Sequence, residues 1–355
     1  MRAPTRGGRL RPATAKIGYR VAIGDLRLTA GDPRASARLL RLRGERTMDG
    51  IGGWVRLAVF LGEARLPDLG APIQVELDGG SGAATVFTGE VRALGGDPSS
   101  VWIEGADGLR SLADREFTSV FQECQAGAIA EAILAAAAVR VGRIEAGPTF
   151  ASYALHAGPS ALAHLQALAR RCGLDLFTDP DGGVCLLGPS AASETCTLAN
   201  VGEILSVALE RRPPAADGVV VFGEGAASER GSERAHWLSD DLASVTGEAS
   251  LGPRGELRDR RGEHPRSLID GALRSGEVVQ AVARAQAAAL AARRVRGSLV
   301  LLGTPTLGPG DLLDVTALEG QHPGLTALRD GSSLRVRGVR HQLDPRRGFT
   351  TEVEV

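Results

Sequence analysis

The stretch that decides the fold is Tyr153–Gly188, YALHAGPSALAHLQALARRCGLDLFTDPDGGVCLLG. Its pattern predicts a strand, then a short amphipathic helix, then a tight β-hairpin. Pro159 suits the first helical position, where its missing N–H costs nothing, and Gly158 before it can act as the N-cap. Gly173 can adopt the left-handed conformation that ends many helices. Few side chains in this unit are reactive, so it indicates a scaffold.

One face of the predicted helix is apolar. Its residues recur at a spacing of three or four, which aligns them along one side of a helix: Leu162, Leu165, Leu168 and Ala169. The two hairpin strands are predicted at 174–178 and 184–187, and DPDGG between them has the composition of a turn. Upstream, 126–138 has helical propensity, so the surrounding segment is predicted to mix helix and strand.

The composition is that of a soluble globular protein. The 355 residues include 41 basic and 42 acidic side chains, for a formal net charge of -1. The length predicts two or three domains, and the balanced charge implies no general attraction to nucleic acid or to a membrane surface. The sequence has no apolar run of the ~18 residues that a membrane-spanning helix needs, and no secretory signal. We therefore expect a soluble chain made in the cytoplasm.

The cysteines show no metal or disulfide pattern. No two of them form a CxxC pair, so reduced, buried thiols are expected: Cys124, Cys172, Cys185 and Cys196. His164 is expected to be solvated or at the core edge. It lies two helical turns, about 12 Å, from Cys172, which is too far for a hydrogen bond.

No metal or cofactor site is predicted. The histidines contain no pair at i+3 or i+4, so none of them forms a metal-binding helix face: His156, His164, His236, His264, His322 and His341. The aspartates near residues 175–181 are explained by the hairpin turn rather than by a calcium loop. The sequence therefore predicts no catalytic residues, no cofactor and no metal.

Short alternating strands dominate the rest of the chain. Residues 17–118 contain several of them between turn residues, which favours a barrel or a sandwich. The buried run 219–222 and the segment 297–355 return to this pattern. Between them, 226–276 is polar and is expected to be irregular, and 277–296 is predicted to be a helix.

An internal similarity links two of these regions. Leu66–Leu77 and Thr304–Val315 are both a turn that leads into a strand, and they align Pro67 with Pro305, Leu69 with Leu307 and Gly70 with Gly308. Each is followed by a strand with a central glycine. The similarity predicts two related β-domains, the second of them split by the 226–296 segment.

Three loose motifs follow one another along the chain: the helix and strand 162–176, LAHLQALARRCGLDL, the turn 303–311, GTPTLGPGD, and the closing pair 341–344, HQLD, and 348–351, GFTT. In this order, and over the chain from about Ile17 onward, they resemble the phage late control D family. That family comprises the hubs of contractile-tail baseplates and related injection systems, and it is similar to the N-terminal part of VgrG spikes.

The resemblance implies a fold that is α+β and mainly β. It would contain two tube-like β-barrel domains, an inserted α/β domain, and a helical excursion in the second barrel. The predicted ranges are a disordered basic arm at 1–16, a first barrel at 17–118, an α/β domain at 119–196, a second barrel at 197–225 plus 297–355, and an excursion at 226–296 with its helix at 277–296.

The resemblance also implies a structural, non-enzymatic hub. Three copies would form a homotrimeric ring whose six barrels adapt a sixfold tail tube to a threefold spike. The expected partners are the tail tube, other baseplate components and a separate spike protein, because VgrG chains continue into a spike where this chain stops. No membrane anchor and no specific nucleic acid are expected. The particle would be assembled in the bacterial cytoplasm, as a phage tail or injection device that is released or docked at a membrane.

The arm supplies the candidate partner-binding residues, all of them basic: Arg2, Arg6, Arg9 and Arg11. Two other functions stay open. One is a cysteine-dependent hydrolase that uses Cys124 or Cys172 with a distant histidine. The other is a ring-shaped nucleic-acid binder, whose binding would depend steeply on salt.

Overall fold

The structure is a computed structural model, and its fold is α+β and mainly β. It describes residues 17–32, 35–48, 50–97, 100–189, 191, 194–198, 200–223, 245–253, 255–318, 325, 333–344 and 348–355. None of the helices in these ranges is both long and apolar enough to cross a membrane.

The strands and helices are numbered along the chain. The first part contains β1 Gly18–Ile23, β2 Leu26–Thr29, β3 Arg38–Thr47, β4 Trp54–Phe60, β5 Pro72–Asp78, β6 Ala83–Asp97, β7 Ser100–Ala106 and α1 Gly108–Ser111. The middle part contains β8 Ser119–Gln125, α2 Ala126–Ala136, β9 Val141–Ile144, β10 Thr149–Leu155, α3 Ala161–Cys172, β11 Asp175–Thr178, β12 Val184–Leu187 and β13 Thr195–Thr197. The last part contains β14 Ile204–Arg211, β15 Gly218–Phe222, β16 Thr246–Leu251, β17 Leu257–Arg258, β18 Pro265–Ile269, α4 Gly276–Ala292, β19 Val295–Leu302, β20 Leu312–Asp314, β21 Leu334–Arg335, β22 Gly338–Asp344 and β23 Gly348–Glu354.

One 11-stranded sheet runs through most of the chain, in the order β14-β19-β23-β22-β3-β4-β7-β6-β5-β1-β2. Two apolar cores lie on the same face of this sheet. On β23, Phe349 packs in the core of the first part and Val353 in the core of the last part, and the two residues share a face because strand residues alternate sides. The opposite face of the sheet, here called the open face, carries mainly polar side chains.

The sheet is built from two units with the same topology. Unit 1 consists of β3, β4, β5, β6 and β7, and unit 2 of β14, β19, β20, β21 with β22, and β23. In both units, the strands numbered along the unit lie side by side in the order first, second, fifth, fourth, third. In unit 2 the third strand, β20, pairs with β21 in a small separate sheet that also contains β13. The first two strands of each unit even share an irregularity, between Leu39 and Arg41 in unit 1 and between Ile204 and Ser206 in unit 2.

A matching turn fixes the correspondence between the units. In unit 1 the N–H of Gly70 donates to the carbonyl of Val91, and the N–H of Val91 donates to the carbonyl of Ala71. In unit 2, Gly310, Val336 and Asp311 make the same two bonds. Both glycines have a positive φ, of 80° and 94°. Gly70 therefore corresponds to Gly310, and the alignment of Gly70 with Gly308 predicted from the sequence is wrong by two residues.

The helix at the centre of the deciding stretch forms as predicted, except at its start. Ser160, rather than Gly158, is the N-cap of α3, since its Oγ accepts the N–H of Ala163 at 3.2 Å. Gly173 ends the helix with φ 66°, as expected. The predicted apolar face is buried. His164 is buried as well, at 6% exposure, so of the two positions expected for it, solvated or at the core edge, the solvated one is wrong.

The region after unit 2's first strand differs from the sequence prediction. β15 is not part of a second barrel, because it pairs with β16 and β18 in a separate sheet of order β17-β16-β15-β18. Three of these strands lie in the predicted irregular segment 226–276, where the spacing of apolar residues alone did not reveal them. Helix α4 packs on β15 and β16 and ends at Ala292 rather than at residue 296.

Gly173 provides a test of how α3 and α4 pack. An added Cβ there would lie 2.8 Å from the backbone carbon of Ala285 on α4. We expect Gly173→Ala to lower the free energy of unfolding by about 2–4 kcal/mol, from left-handed strain plus overpacking. Urea unfolding of the purified chain measures this.

The matched control is Gly31→Ala. Gly31 has a similar φ of 73°, but nothing lies within 4 Å of its Cβ position. It should lose only the backbone contribution, about 1–2 kcal/mol. Equal losses in the two variants would show that the approach of α4 does not constrain Gly173.

Candidate assembly interface

The junction between the two units is a pair of strands. β22, from the fourth strand of unit 2, pairs antiparallel with β3, the first strand of unit 1, from Gly338↔Thr47 to Leu343↔Leu42. Side chains on the core face are tightly covered there, since Val339 is 2% and Leu42 0% exposed. The sheet and its core therefore continue without a gap from one unit to the other.

Ion pairs cross this junction on the open face. Arg340 of β22 contacts Glu45 of β3 at 2.8 Å and Glu352 of β23 at 2.8 Å. Arg340 and Glu45 are also directly opposed in the strand register. Directly opposed unlike charges favour one register over its neighbours, so these residues help to set the alignment of the units.

A buried polar cluster lies on the core side of the junction. Arg46 is 4% exposed, and its Nη1 donates to the carbonyl of Thr178 at 3.2 Å. Asp107 accepts from Thr178 Oγ1 at 2.6 Å and from the N–H of Gly53 at 2.5 Å. Burial lowers the pKa of Arg46 to about 10 and raises the pKa of Asp107. Arg46 is thus still a cation at neutral pH, and the cluster links unit 1 to β11.

The same cluster extends into unit 2. Asp311 accepts the N–H of Gly308 at 2.8 Å, and burial raises its pKa to about 6, against the opposing attraction of Arg46. His341 is 3% exposed, and its Nδ1 lies 3.1 Å from Thr351 Oγ1. Burial first, and then the charge of Arg46, lowers the pKa of His341 to about 3, so its ring is neutral. Charged groups from both units therefore share one buried site.

A second group of polar contacts links β11 to unit 2. Asp175 lies 3.2 Å from Arg335 and 3.6 Å from Arg337. Arg335 also donates to the carbonyl of Pro189 at 2.7 Å. Since Arg335 is 9% exposed, these contacts are shielded from solvent, and the middle part of the chain is fixed against the junction.

The junction pairs a fourth strand with a first strand, and each unit has one further strand of these two kinds with an edge region that pairs with no described strand. β14, the first strand of unit 2, ends the sheet, and residues 92–97 of β6, the fourth strand of unit 1, have no described strand on the side away from β7. Burial follows this difference. Val207 is half-buried where its counterpart Leu42 is buried, and Leu94 is half-buried where its counterpart Val339 is buried. The two edges therefore expose apolar area that the junction covers.

These edge residues were missed by sequence reasoning, although a signal is present. With the structural register, 39–46, LLRLRGER, aligns with 204–211, ILSVALER. Both segments end in Glu-Arg and place apolar residues at the same positions. The alignment needs the strand register, because the two segments share too few identities to be matched on sequence alone.

The residues singled out from the sequence lie in different parts of the chain. Arg2, Arg6, Arg9 and Arg11 lie outside the described residues. Cys172 and Cys185 are buried as expected, whereas Cys124 and Cys196 are partly exposed.

Neither buried thiol is activated as a nucleophile. Burial raises the pKa of Cys172 to about 12 and also raises the pKa of Cys185, which keeps both thiols protonated and poorly nucleophilic. His164 faces the carbonyl of His156 at 3.0 Å rather than a cysteine. Within the described ranges, no group of three or more His, Cys, Asp and Glu side chains is placed to hold a metal ion.

Comparison with known proteins gives structural neighbours alone. No protein-family model and no curated protein matches the chain. The 43 kDa tail protein of prophage MuSo2 from Shewanella oneidensis is similar, with a TM-score of 0.62 and 13% identity over 95% of this chain and 97% of that chain. A tail protein from Neisseria meningitidis MC58 is similar to the same extent, with a TM-score of 0.62 and 14% identity over 95% of both chains.

A secretion-system protein is also similar. It is an E. coli component of the type VI secretion system, which is described as structurally similar to the T4 tail proteins gp27 and gp5. The TM-score is 0.54, with 10% identity over 94% of this chain and 75% of that chain. At these identities the likeness is one of fold. The chain thus has the fold found in phage tail proteins and in a type VI secretion component.

The buried cluster predicts how stability depends on pH. Because the pKa of Asp311 is raised to about 6, its carboxyl holds a proton in the folded chain at pH values where the unfolded chain has lost it. Asp311 therefore adds stability as the pH falls from 7 towards 4. In Asp311→Asn this contribution disappears, and the amide can still accept the N–H of Gly308.

The measurement is urea unfolding of both proteins at several pH values. We expect the wild type to gain stability relative to Asp311→Asn as the pH falls through about 6. Asp314→Asn, at an exposed Asp–Thr turn in the same unit, is the control and should show a smaller dependence in this range. Parallel curves for wild type and Asp311→Asn would contradict the assignment.

Proposed function

We propose that this chain is the central hub of a contractile phage tail baseplate or of a related injection device, and that three copies close into a ring. In this proposal units 1 and 2 are the two tube-like domains of each copy. The single observation that carries the proposal is the pair of open edges, which match the two strands that form the internal junction.

The internal junction supplies the geometry for contacts between copies. It joins a fourth strand to a first strand, and the remaining free edges of each chain are again a fourth strand, β6, and a first strand, β14. A free β6 edge cannot pair with β14 of its own chain, because the two lie towards opposite ends of the sheet. It can pair with β14 of another copy, and repetition of this head-to-tail contact closes a ring.

The register between copies follows from the correspondence of the units. Gly338↔Thr47 at the internal junction translates to Ala93 of one copy opposite Arg212 of the next. Pairing in this register would cover the half-buried edges and satisfy their backbone N–H and C=O groups, which are otherwise open to unwanted association. Six units in a ring of three would present six similar surfaces to a tube and threefold symmetry to a spike.

The remaining partners follow from the same proposal. The two ends of the ring would contact the tail tube and a spike protein, other baseplate components would surround it, and the assembly would be part of a particle made in a bacterial cell. Arg2, Arg6, Arg9 and Arg11 are proposed to contact one of these partners. The hub would have a mechanical rather than an enzymatic function. The chain would be a member of the late control D family or a relative of it.

The oligomeric state is the first test. Native mass spectrometry of the purified chain should show a species near three times the 36.9 kDa of one copy. Edge-pairing predicts that Val207→Asp, which places a charge on the apolar edge of β14, shifts the population to monomer. Leu257→Asp, at an exposed residue of the edge strand β17, is the control and should leave the trimer intact. A chain that is monomeric at every concentration would contradict the ring.

Cross-linking tests the register. Ala93→Cys combined with Arg212→Cys should form disulfides between copies under mild oxidation, because the proposed pairing places the two residues directly opposite each other. The product should be covalent dimers and trimers on a non-reducing gel. Ala93→Cys with Ala208→Cys is the control, since it offsets one cysteine by about 13 Å along β14. Equal cross-linking of the two pairs would show that this register is wrong.

A further inference from the structure

Unit 1 carries three stacks of an arginine on an aromatic ring, all on the open face. The guanidinium carbon lies 4.8 to 5.8 Å from the ring centre in each, and the pairs are Arg38 on Phe60, Arg43 on Trp54 and Arg56 on Trp102. The residues between them on the same strands face the core and are buried, such as Leu42, Leu57 and Ile103 at 0% exposure. The three arginines themselves are exposed.

Two of these arginines lie directly opposite each other on neighbouring strands. Arg43 and Arg56 are register partners on neighbouring strands, so their side chains leave the sheet side by side. Like charges in directly opposed positions destabilise a sheet. Among the described residues, no carboxylate forms an ion pair with either, although Glu104 is opposite Arg56 on the next strand. An anionic ligand between the two guanidinium groups would remove this repulsion.

Two of the other nearby carboxylates pair with different arginines. Glu45 is paired with Arg340, and Asp344 with Arg41 at 3.0 Å. Arg41 extends the row of basic residues along β3, about 6.6 Å from Arg43, the distance of two strand residues. The open face of unit 1 thus presents a line of cations stacked on the half-buried Trp54 and Trp102 and the exposed Phe60, although the whole chain has a formal net charge of only -1.

We propose that this face, defined by Arg38, Arg43, Arg56, Trp54 and Trp102, binds the phosphodiester backbone of a nucleic acid without sequence preference. The planar guanidinium groups match phosphate oxygens and would hold the backbone. Because the rings beneath them hold these groups flat, their outer planes offer surfaces on which unpaired bases stack. The carboxylates of an acidic polypeptide would pair with the N–H edges of the guanidinium groups and leave their planes uncovered, so the stacked planes favour nucleic acid.

Unit 2 lacks this arrangement at the corresponding positions. The strand register equates Arg43 with Ala208, Arg56 with Ser298, Trp54 with Arg296 and Trp102 with Glu352. The stacks are therefore not required by the shared strand topology. Binding needs only the exposed face of one chain, so this inference goes beyond the proposed hub function and does not depend on ring closure. In a closed ring with the open face inward, the same residues would face the channel.

The test measures, by fluorescence anisotropy, the binding of a labelled oligothymidine and of a labelled DNA duplex to the purified chain. We expect affinity to fall steeply between about 50 and 200 mM salt, and the double variant Arg43→Gln, Arg56→Gln to reduce the slope of log affinity against log salt by about two. The control, Arg260→Gln with Arg266→Gln, removes the same charge from β18 and from the bend after β17, and should bind like the wild type.

Three further measurements make the outcome decisive. Arg56→Gln should keep or raise the melting temperature, because it removes the like-charge pair, whereas a purely structural stack would lose stability. Trp102→Leu should weaken binding of the oligothymidine more than that of the duplex, because it removes the ring that holds the Arg56 guanidinium flat for an unpaired base. Absence of binding to both DNA forms at low salt would overturn the proposal. So would equal losses in the control, or polyglutamate binding of equal strength with the same dependence on Arg43 and Arg56.

Discussion

The structure depends on the pairing of strand edges. A sheet edge exposes unpaired N–H and C=O groups, and each of the two units would have such an edge at its first and fourth strands if it stood alone. The β22–β3 pair satisfies one edge of each kind within the chain. The same pairing aligns both apolar cores on one face, so a single set of backbone hydrogen bonds determines where the cores, the open face and the remaining edges lie.

Burial of the polar groups beneath the junction has an unfavourable desolvation free energy, which strand pairing by itself would not involve. Burying a guanidinium such as Arg46 takes several kcal/mol of desolvation, which is recovered only when carboxylates and hydrogen bonds surround it. Asp311, Asp179 and Asp107, from different parts of the chain, attract the charge of Arg46, and the carbonyl of Thr178 accepts from Nη1, whereas Nε and Nη2 have no hydrogen-bond partner among the described residues. Such a cluster tolerates one arrangement of those parts. The residue at the corresponding position of the open edge is Arg211, which is exposed.

The elements that could be predicted from the sequence are those with local signals. The helix α3, its buried face, its terminal Gly173 and the hairpin after it follow from spacing and turn residues within one short stretch. The N-cap was misplaced because Ser160 and Gly158 are both good caps, and only the backbone decides between them. The separate sheet around β15 was missed because its strands pair across a long segment, and a buried run such as 219–222 fits any sheet equally well. The edge residues needed the register, which is a property of partner strands.

The two units also show where such a duplicated fold can change. Their first two strands are joined in unit 1 by a short connection, residues 48–53, and in unit 2 by residues 212–294, which contain β15 to β18 and α4. Lengthening a connection costs little loop entropy, whereas altering a central strand would disturb pairing on both sides. The inserted elements join the core of the middle part rather than that of unit 2, through Val219, Val221 and Val279. A long connection at this place therefore leaves the strands of unit 2 in the same spatial order as those of unit 1.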